Sequence, residues 1–135
     1  LLDVLCVLYG GIEAERLLLG DVSTGASNFG DPRSDLGRAS GLASDFVEAC
    51  GMSSLAAPLR TFRDREGKRD ILSGSQAEAI DRQVNTLVAE SQSRAAAILA
   101  KHRDDLVRVR DELIAAKTLE PARVAEIVAE LRAKV

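Results

Sequence analysis

Few residues in this 135-residue chain have the types and spacing that chemistry needs. Asp35 stands at the start of an apolar pattern formed by Leu36, Ala39, Leu42, Ala43, Phe46, Val47 and Cys50. Spacings of three and four mark one face of an α-helix, so Asp35 falls in a first turn. Ser34 supplies an N-cap, its hydroxyl accepting a bond from a free amide of that turn. Gly51 is placed to end the helix in the left-handed conformation. A carboxylate so held can be aimed across a cleft. Its structural role is to complement the helix dipole, worth about 0.3–1 kcal/mol. Asp31 is a second carboxylate nearby.

The other candidates are weaker. Ser23 and Thr24 have no general base in view and read as turn residues that satisfy local amides. Glu15 is a helical carboxylate that serves either near a site or in a surface ion pair. His102 is the sole histidine and lies at a junction of two helical patterns. One Asp and one remote His do not make a catalytic zinc site, which takes three protein ligands and an open position. Cys6 and Cys50 both fall on apolar helical faces and read as buried thiols, with a disulfide the alternative. No Gly-x-x-x-x-Gly-Lys-Ser/Thr is present, so no nucleotide site is assigned.

These residues carry a family likeness. Gly20-Asp21-Val22-Ser23-Thr24-Gly25-Ala26-Ser27-Asn28, then Asp35-Leu36-Gly37-Arg38-Ala39-Ser40, then Gly51-Met52-Ser53 resembles the peptidase domain of the FtsH-type ATP-dependent zinc metalloproteases. The resemblance runs from Leu8 to the last helix, and the loop is its most specific part. It implies a zinc held by two His of a His-Glu-x-x-His helix and by an Asp from a distant helix, with the Glu as base. That Asp matches Asp35, because Leu36, Arg38 and Ala39 follow in the family spacing; the Phe29–Ser34 insertion leaves Asp31 as the alternative. This chain has no His-Glu-x-x-His, so as given it is expected not to hydrolyse peptides and to hold no cofactor tightly by itself. Gly11, Ala14, Glu15 and Leu17 keep the family pattern of the first helix. Ile12 stands where the family usually has Arg, and Arg16 where it has a second Glu.

The resemblance further implies an upstream ATPase domain and membrane anchor. It implies a hexameric ring, placed on the cytoplasmic face, that feeds unfolded polypeptides to the zinc sites. The rival reading is a non-catalytic helical module of the same fold, kept for assembly or partner binding.

The elements that would position Asp35 are helical. With three Phe, one Tyr and no Trp, the core must come from Leu, Val, Ile and Ala, which favours packed helices. A chain of this length suits one domain and buries roughly two-thirds of its surface on folding. A net charge of −3 argues against general nucleic-acid binding. No apolar run reaches the roughly 20 residues that span a bilayer, and no basic n-region marks a signal peptide. The chain begins with Leu and reads as a piece of something longer.

Leu1–Leu19 reads as a helix, with Leu1, Val4, Leu5, Leu8, Ile12 and Leu19 among its buried positions, interrupted by Gly10-Gly11, each about 1 kcal/mol worse than Ala there. Such a pair either kinks a helix or permits close packing against a neighbour. Pro58 to Gly74 reads as a surface loop containing a mixed charge run and one apolar residue, Phe62, with room for a short strand. Ser75-Gln76-Ala77-Glu78 is a capping-box pattern opening a long helix with Ile80, Val84, Leu87, Val88, Ser91, Ala95, Ile98 and Leu99 on one face. A helix near 104–117 turns Leu106, Val109, Leu113 and Ala116 inward. A last helix opened by Pro121 does the same with Val124, Ile127, Val128 and Leu131.

The expected fold is all-α: two N-terminal helices joined by a Gly-bearing loop, then an antiparallel helical bundle. The expected organisation is one domain, with residues 1–52 carrying the site, 53–74 a surface loop and 75–135 the bundle.

Overall fold

In a computed structural model the chain is all-α. The structure describes residues 2–21, 31–50, 61–69 and 71–134. Five helices follow in order: α1 Leu2–Leu19, α2 Asp35–Glu48, α3 Gly74–Lys101, α4 Arg103–Ala116 and α5 Pro121–Ala133. Among the described residues the only β pairing is an isolated bridge between Arg63 and Arg69. No described helix is long and apolar enough to cross a membrane. The chain divides into two compact units, residues 1–98 and 99–135.

The first unit is built around α1. Leu5, Leu8, Tyr9 and Ile12 bury one face of it against Ala39 and Ala43 of α2 and Ala95 of α3. The partners are alanines, so the large side chains of α1 fill space that small ones leave, and the backbones come close. A second cluster joins Val47, Phe62, Ile80 and Leu87. Each fully buried Leu or Ile in these clusters stabilises the fold by roughly 1.5–3 kcal/mol. Phe62 therefore anchors its charged segment in the core, where the sequence suggests a loop lying on the surface. The segment folds back on itself through the 63–69 bridge, and Gly67 takes a φ of +80° to make the turn.

The long helix starts two residues earlier than its pattern suggests. Ser73, not Ser75, forms the reciprocal cap: its hydroxyl accepts from the Gln76 amide at 3.3 Å, and the Gln76 side chain accepts from the Ser73 amide at 3.3 Å. Two Ser-x-x-(Glu/Gln) frames overlap here, and the upstream one wins. Along α3, Ile80, Leu87, Ser91 and Ala95 are buried, while Ile98 is largely exposed.

The second unit contains α4 and α5, and its cohesion is different. No α4 residue is fully buried, and α5 buries only Ile127. Leu113, Val124 and Val128, expected inward, remain at least 40% exposed. Ion pairs hold the two helices antiparallel: Arg108 with Glu130 at 2.7 Å, Arg123 with Glu112, and Lys134 with Asp105. Two short helices have too little facing area to bury a full apolar stripe, and long charged side chains cover the seam instead.

Both cysteines are free, with Cys6 buried and Cys50 exposed. The expectation that Cys50 lies on a buried face fails because α2 stops at Glu48. The cap assigned to Gly51, the turn residues Ser23 and Thr24, and the Gly51-Met52-Ser53 motif lie outside the described residues.

Candidate metal-ligand site

The turn before α2 is fixed by a compact set of hydrogen bonds. Ser34 is the N-cap, and its hydroxyl accepts from the Gly37 amide at 3.0 Å, as the sequence predicts. The same hydroxyl donates to the Asp31 carbonyl at 2.8 Å, and the Ser34 amide donates to that carbonyl at 3.0 Å. Ser34 thus joins the helix start to the turn before it.

Gly37 is required by this geometry. A Cβ there would sit 2.6 Å from the Asp31 carbonyl oxygen and 2.8 Å from the Pro32 Cα. Both are backbone atoms. The Asp31–Pro32 turn therefore folds directly onto the first turn of α2, and only glycine leaves it room.

The two carboxylates differ in what they touch. Asp31 accepts from the Arg33 amide at 2.8 Å and from the Arg33 guanidinium at 3.2 and 3.4 Å, engaging both its oxygens. The Arg33 amide first, and then its guanidinium, hold the Asp31 carboxyl below its usual range. Among the described residues Asp35 makes only a 3.7 Å pair with Arg38 one turn along, and both side chains are more than half exposed. Asp35 thus presents an open carboxylate from a capped first turn, while Asp31 is tied into its own turn.

His102 sits at the N-cap of α4 with no side-chain cap bond, its Nδ1 3.7 Å from Asp105. It belongs to the second unit and Asp35 to the first. Among the described residues no three His, Cys, Asp or Glu side chains are grouped to hold a metal ion. An exposed carboxylate such as that of Asp35 offers a hard oxygen donor of a kind that a zinc site accepts.

The departures in the first helix have a structural account. Ile12 is buried in the core. Glu13 is also buried, and one guanidinium nitrogen of Arg16 lies 2.7 and 2.9 Å from its two oxygens. Arg16 thus makes an ion pair with Glu13 three residues before it on the same helix. Glu15 is half-buried and makes an interaction of its own.

Sequence reasoning missed Glu48. It is buried at the end of α2 and accepts from Arg63 at 3.1 Å and Arg69 at 2.8 Å, while Arg69 also reaches Asp81 and Arg63 reaches Asp45. The available signal was an acidic residue in the last turn of a helix, where the dipole disfavours it, followed by an arginine-rich segment.

With this geometry established, the comparisons with known proteins are decisive. The profile of Peptidase family M41 matches residues 1–127. This chain belongs to the M41 family. Proteins named ATP-dependent zinc metalloprotease FtsH are similar along nearly all of it. That of Methylibium petroleiphilum is 35% identical over 98% of this chain and 22% of its own length. That of Bacillus subtilis is 31% identical over 95% and 21%, and that of Borreliella burgdorferi 30% over 95% and 20%. The chain thus spans about a fifth of the length of the M41 relatives it matches.

Proposed function

We propose that this chain is the C-terminal part of a zinc metalloendopeptidase domain and that Asp35 is its carboxylate ligand to zinc. The single observation that carries the assignment is the contrast at the turn before α2. Asp31 is engaged on both oxygens by Arg33, whereas Asp35 is open and braced by Ser34. Family membership and the relatives' shared name support the metal and the reaction class. Zinc held there would supply Lewis acidity that makes a bound water nucleophilic near neutral pH. The chain's own part is to hold a charged oxygen at a fixed place: Ser34 caps the turn, Gly37 lets the preceding turn close on it, and the α2 dipole favours the negative charge.

The remaining ligands and the general base would come from a His-Glu-x-x-His helix in the longer polypeptide. Residues 1–52 would carry the site, 53–74 would link, and 75–135 would form the helical lobe that makes protomer contacts. The whole protein would be an ATP-driven, membrane-anchored hexamer, cytoplasmic at this domain, that degrades unfolded or membrane proteins. The 135 residues alone would not hydrolyse peptides.

The test is zinc content and proteolysis in the full-length polypeptide. Asp35→Asn is expected to lower zinc affinity at least about tenfold, since loss of groups that merely support ligands already costs that much. Asp31→Asn is expected to leave it nearly unchanged. The reverse pattern assigns the ligand to Asp31. The helices are expected to keep their ellipticity when a chelator is added to the 135-residue chain, because their cores are apolar.

One observation favours the second reading, a non-catalytic assembly module. Ile12 and Arg16 replace polar family residues, and Ile12 is committed to the core. A full-length polypeptide without His-Glu-x-x-His would establish it.

A further inference from the structure

Helix α1 is apolar on two opposite faces, and the described structure covers only one. Leu5, Leu8, Tyr9 and Ile12 lie in the core. On the far side Val4 is 50% and Val7 77% exposed, and exposed Gly11 and half-buried Ala14 and Leu18 continue the line. Positions 4, 7, 11, 14 and 18 alternate steps of three and four, the repeat of a helix–helix seam. The neighbouring α2 behaves otherwise, with exposed Asp35, Arg38 and Asp45 on its outer side.

The glycine pair points the same way. Gly10 and Gly11 lie inside a helix where glycine is disfavoured, and neither has a positive φ. A Cβ on either would meet nothing within 4 Å. Neither backbone conformation nor any contact among the described residues requires them. The remaining use of such a pair is to let another backbone approach.

We propose that the Val4–Leu18 face of α1 seats a second α-helix, supplied by the same polypeptide from outside these 135 residues. The matched relatives are about five times as long as the part this chain covers, so a protein of their length has ample chain to provide one. The face is low in side-chain volume at its middle, where Gly10, Gly11 and Ala14 lie. Self-pairing of two α1 helices about that middle would set small residues on small and leave a gap. The helix that fits carries a large apolar side chain, Leu, Met or Phe, opposite the glycine pair. It carries further apolar residues three or four positions to each side. The two axes then approach at the short end of the usual 8–10 Å. The inference does not rest on Asp35 or on zinc, and either can fail without the other.

The experiment is maleimide labelling of Val7→Cys in a Cys50→Ser background, which removes the exposed native thiol. It is done on the 135-residue chain and on the full-length polypeptide. The expected result is fast labelling of the short chain at every protein concentration and labelling at least about tenfold slower in the full-length polypeptide. Adding Gly11→Leu, which blocks the seat, is expected to restore fast labelling there. Equal rates in the two proteins overturn the proposal. Protection in the short chain at all concentrations assigns the face to its own residues, and protection that grows with concentration assigns it to a second copy; both overturn it. As a second reading, Gly11→Ala is expected to raise the melting midpoint of the short chain by about 3–6 °C, since the face is open there. A lowered midpoint shows the face already occupied.

Discussion

The carboxylate of Glu48 and the guanidinium of Arg63, fifteen residues apart, meet at 3.1 Å where α2 ends, with the Glu48 side chain only 7% exposed. Arg69 closes on the other carboxylate oxygen, and the Phe62 amide donates to the Glu48 carbonyl at 2.7 Å. One residue thus fastens the returning segment to the helix by side chain and backbone together.

Glu48→Gln removes the charge and leaves two guanidinium groups facing a neutral amide. Hydrogen bonds to charged groups contribute about 1.5–3 kcal/mol each, and both arginines keep partial access to water. The expected loss is about 1.5–3 kcal/mol in urea denaturation of the 135-residue chain. A loss within the about 0.5 kcal/mol typical of surface changes would show that the two arginines solvate independently.

Gly37 and Gly41 lie one turn apart on α2 and should respond oppositely to alanine. At Gly37 the new methyl meets backbone of Asp31 and Pro32, which cannot swing aside, so Gly37→Ala should destabilise by about 1–3 kcal/mol. At Gly41 nothing lies within 4 Å, so Gly41→Ala should stabilise by about 1 kcal/mol through helix propensity. Thermal denaturation of the two variants side by side reads the difference. Equal stabilisation by both would mean that the Asp31–Pro32 turn does not rest on α2.

The Tyr9 hydroxyl is buried beside Ser40, whose own proton is given to the Leu36 carbonyl at 2.8 Å. The hydroxyl has no well-formed hydrogen bond. Burial pushes the phenol above its ordinary pKa, and the Ser40 hydroxyl offsets part of that shift. An unsatisfied buried polar atom opposes folding, so Tyr9→Phe should be neutral or stabilising by up to about 1 kcal/mol. A clear destabilisation in urea would reveal a bond the hydroxyl makes in solution.

The α4–α5 pair should be acid-sensitive. Lys134 beside Asp105, Arg123 beside Glu112 and Arg108 beside Glu130 hold all three carboxyls below their ordinary values of 3.8 or 4.5. A carboxyl whose pKa is lower folded than unfolded stabilises the fold above its unfolded value. That contribution is lost as pH falls through 4.5 and 3.8 towards the lower folded values. Backbone NMR of the full 135-residue chain should show α4 and α5 resonances losing helical shifts below about pH 4.5 while α1 and α2 persist. Salt at about 0.5 M, where the Debye length is near 4 Å, should weaken the pair at neutral pH as well. Simultaneous loss in all five helices would show that the two units melt as one.

Much of the architecture was legible because helical spacing repeats over many residues. The apolar face of α2 and the Ser34 cap each agree with several neighbours; along α1 the spacing marks Leu5, Leu8 and Ile12, which are buried, but also Val4 and Leu19, which are 50% and 71% exposed. Cap choice was less legible, since Ser73 and Ser75 satisfy the same pattern two residues apart and only geometry separates them. The amphipathic stripes of α4 and α5 predict burial that two short helices have no area to deliver. Glu48 was hidden because its partners lie fifteen and twenty-one residues away, and charge pairs leave no periodic trace. At the candidate site, the family likeness nominated Asp35 ahead of Asp31, but the contrast between them depends on Arg33 turning back onto Asp31, which a string of letters does not display.

The stop that Gly37 provides for the Asp31–Pro32 turn has a consequence for how this chain can vary. Because the incoming chain is arrested against the first turn of α2, residues added before Asp31 are absorbed upstream of the stop. The helix start, and with it the Asp35 carboxylate, is insulated from the length of the loop that reaches it. Changes of length before residue 31 can thus accumulate without renegotiating where the carboxylate stands.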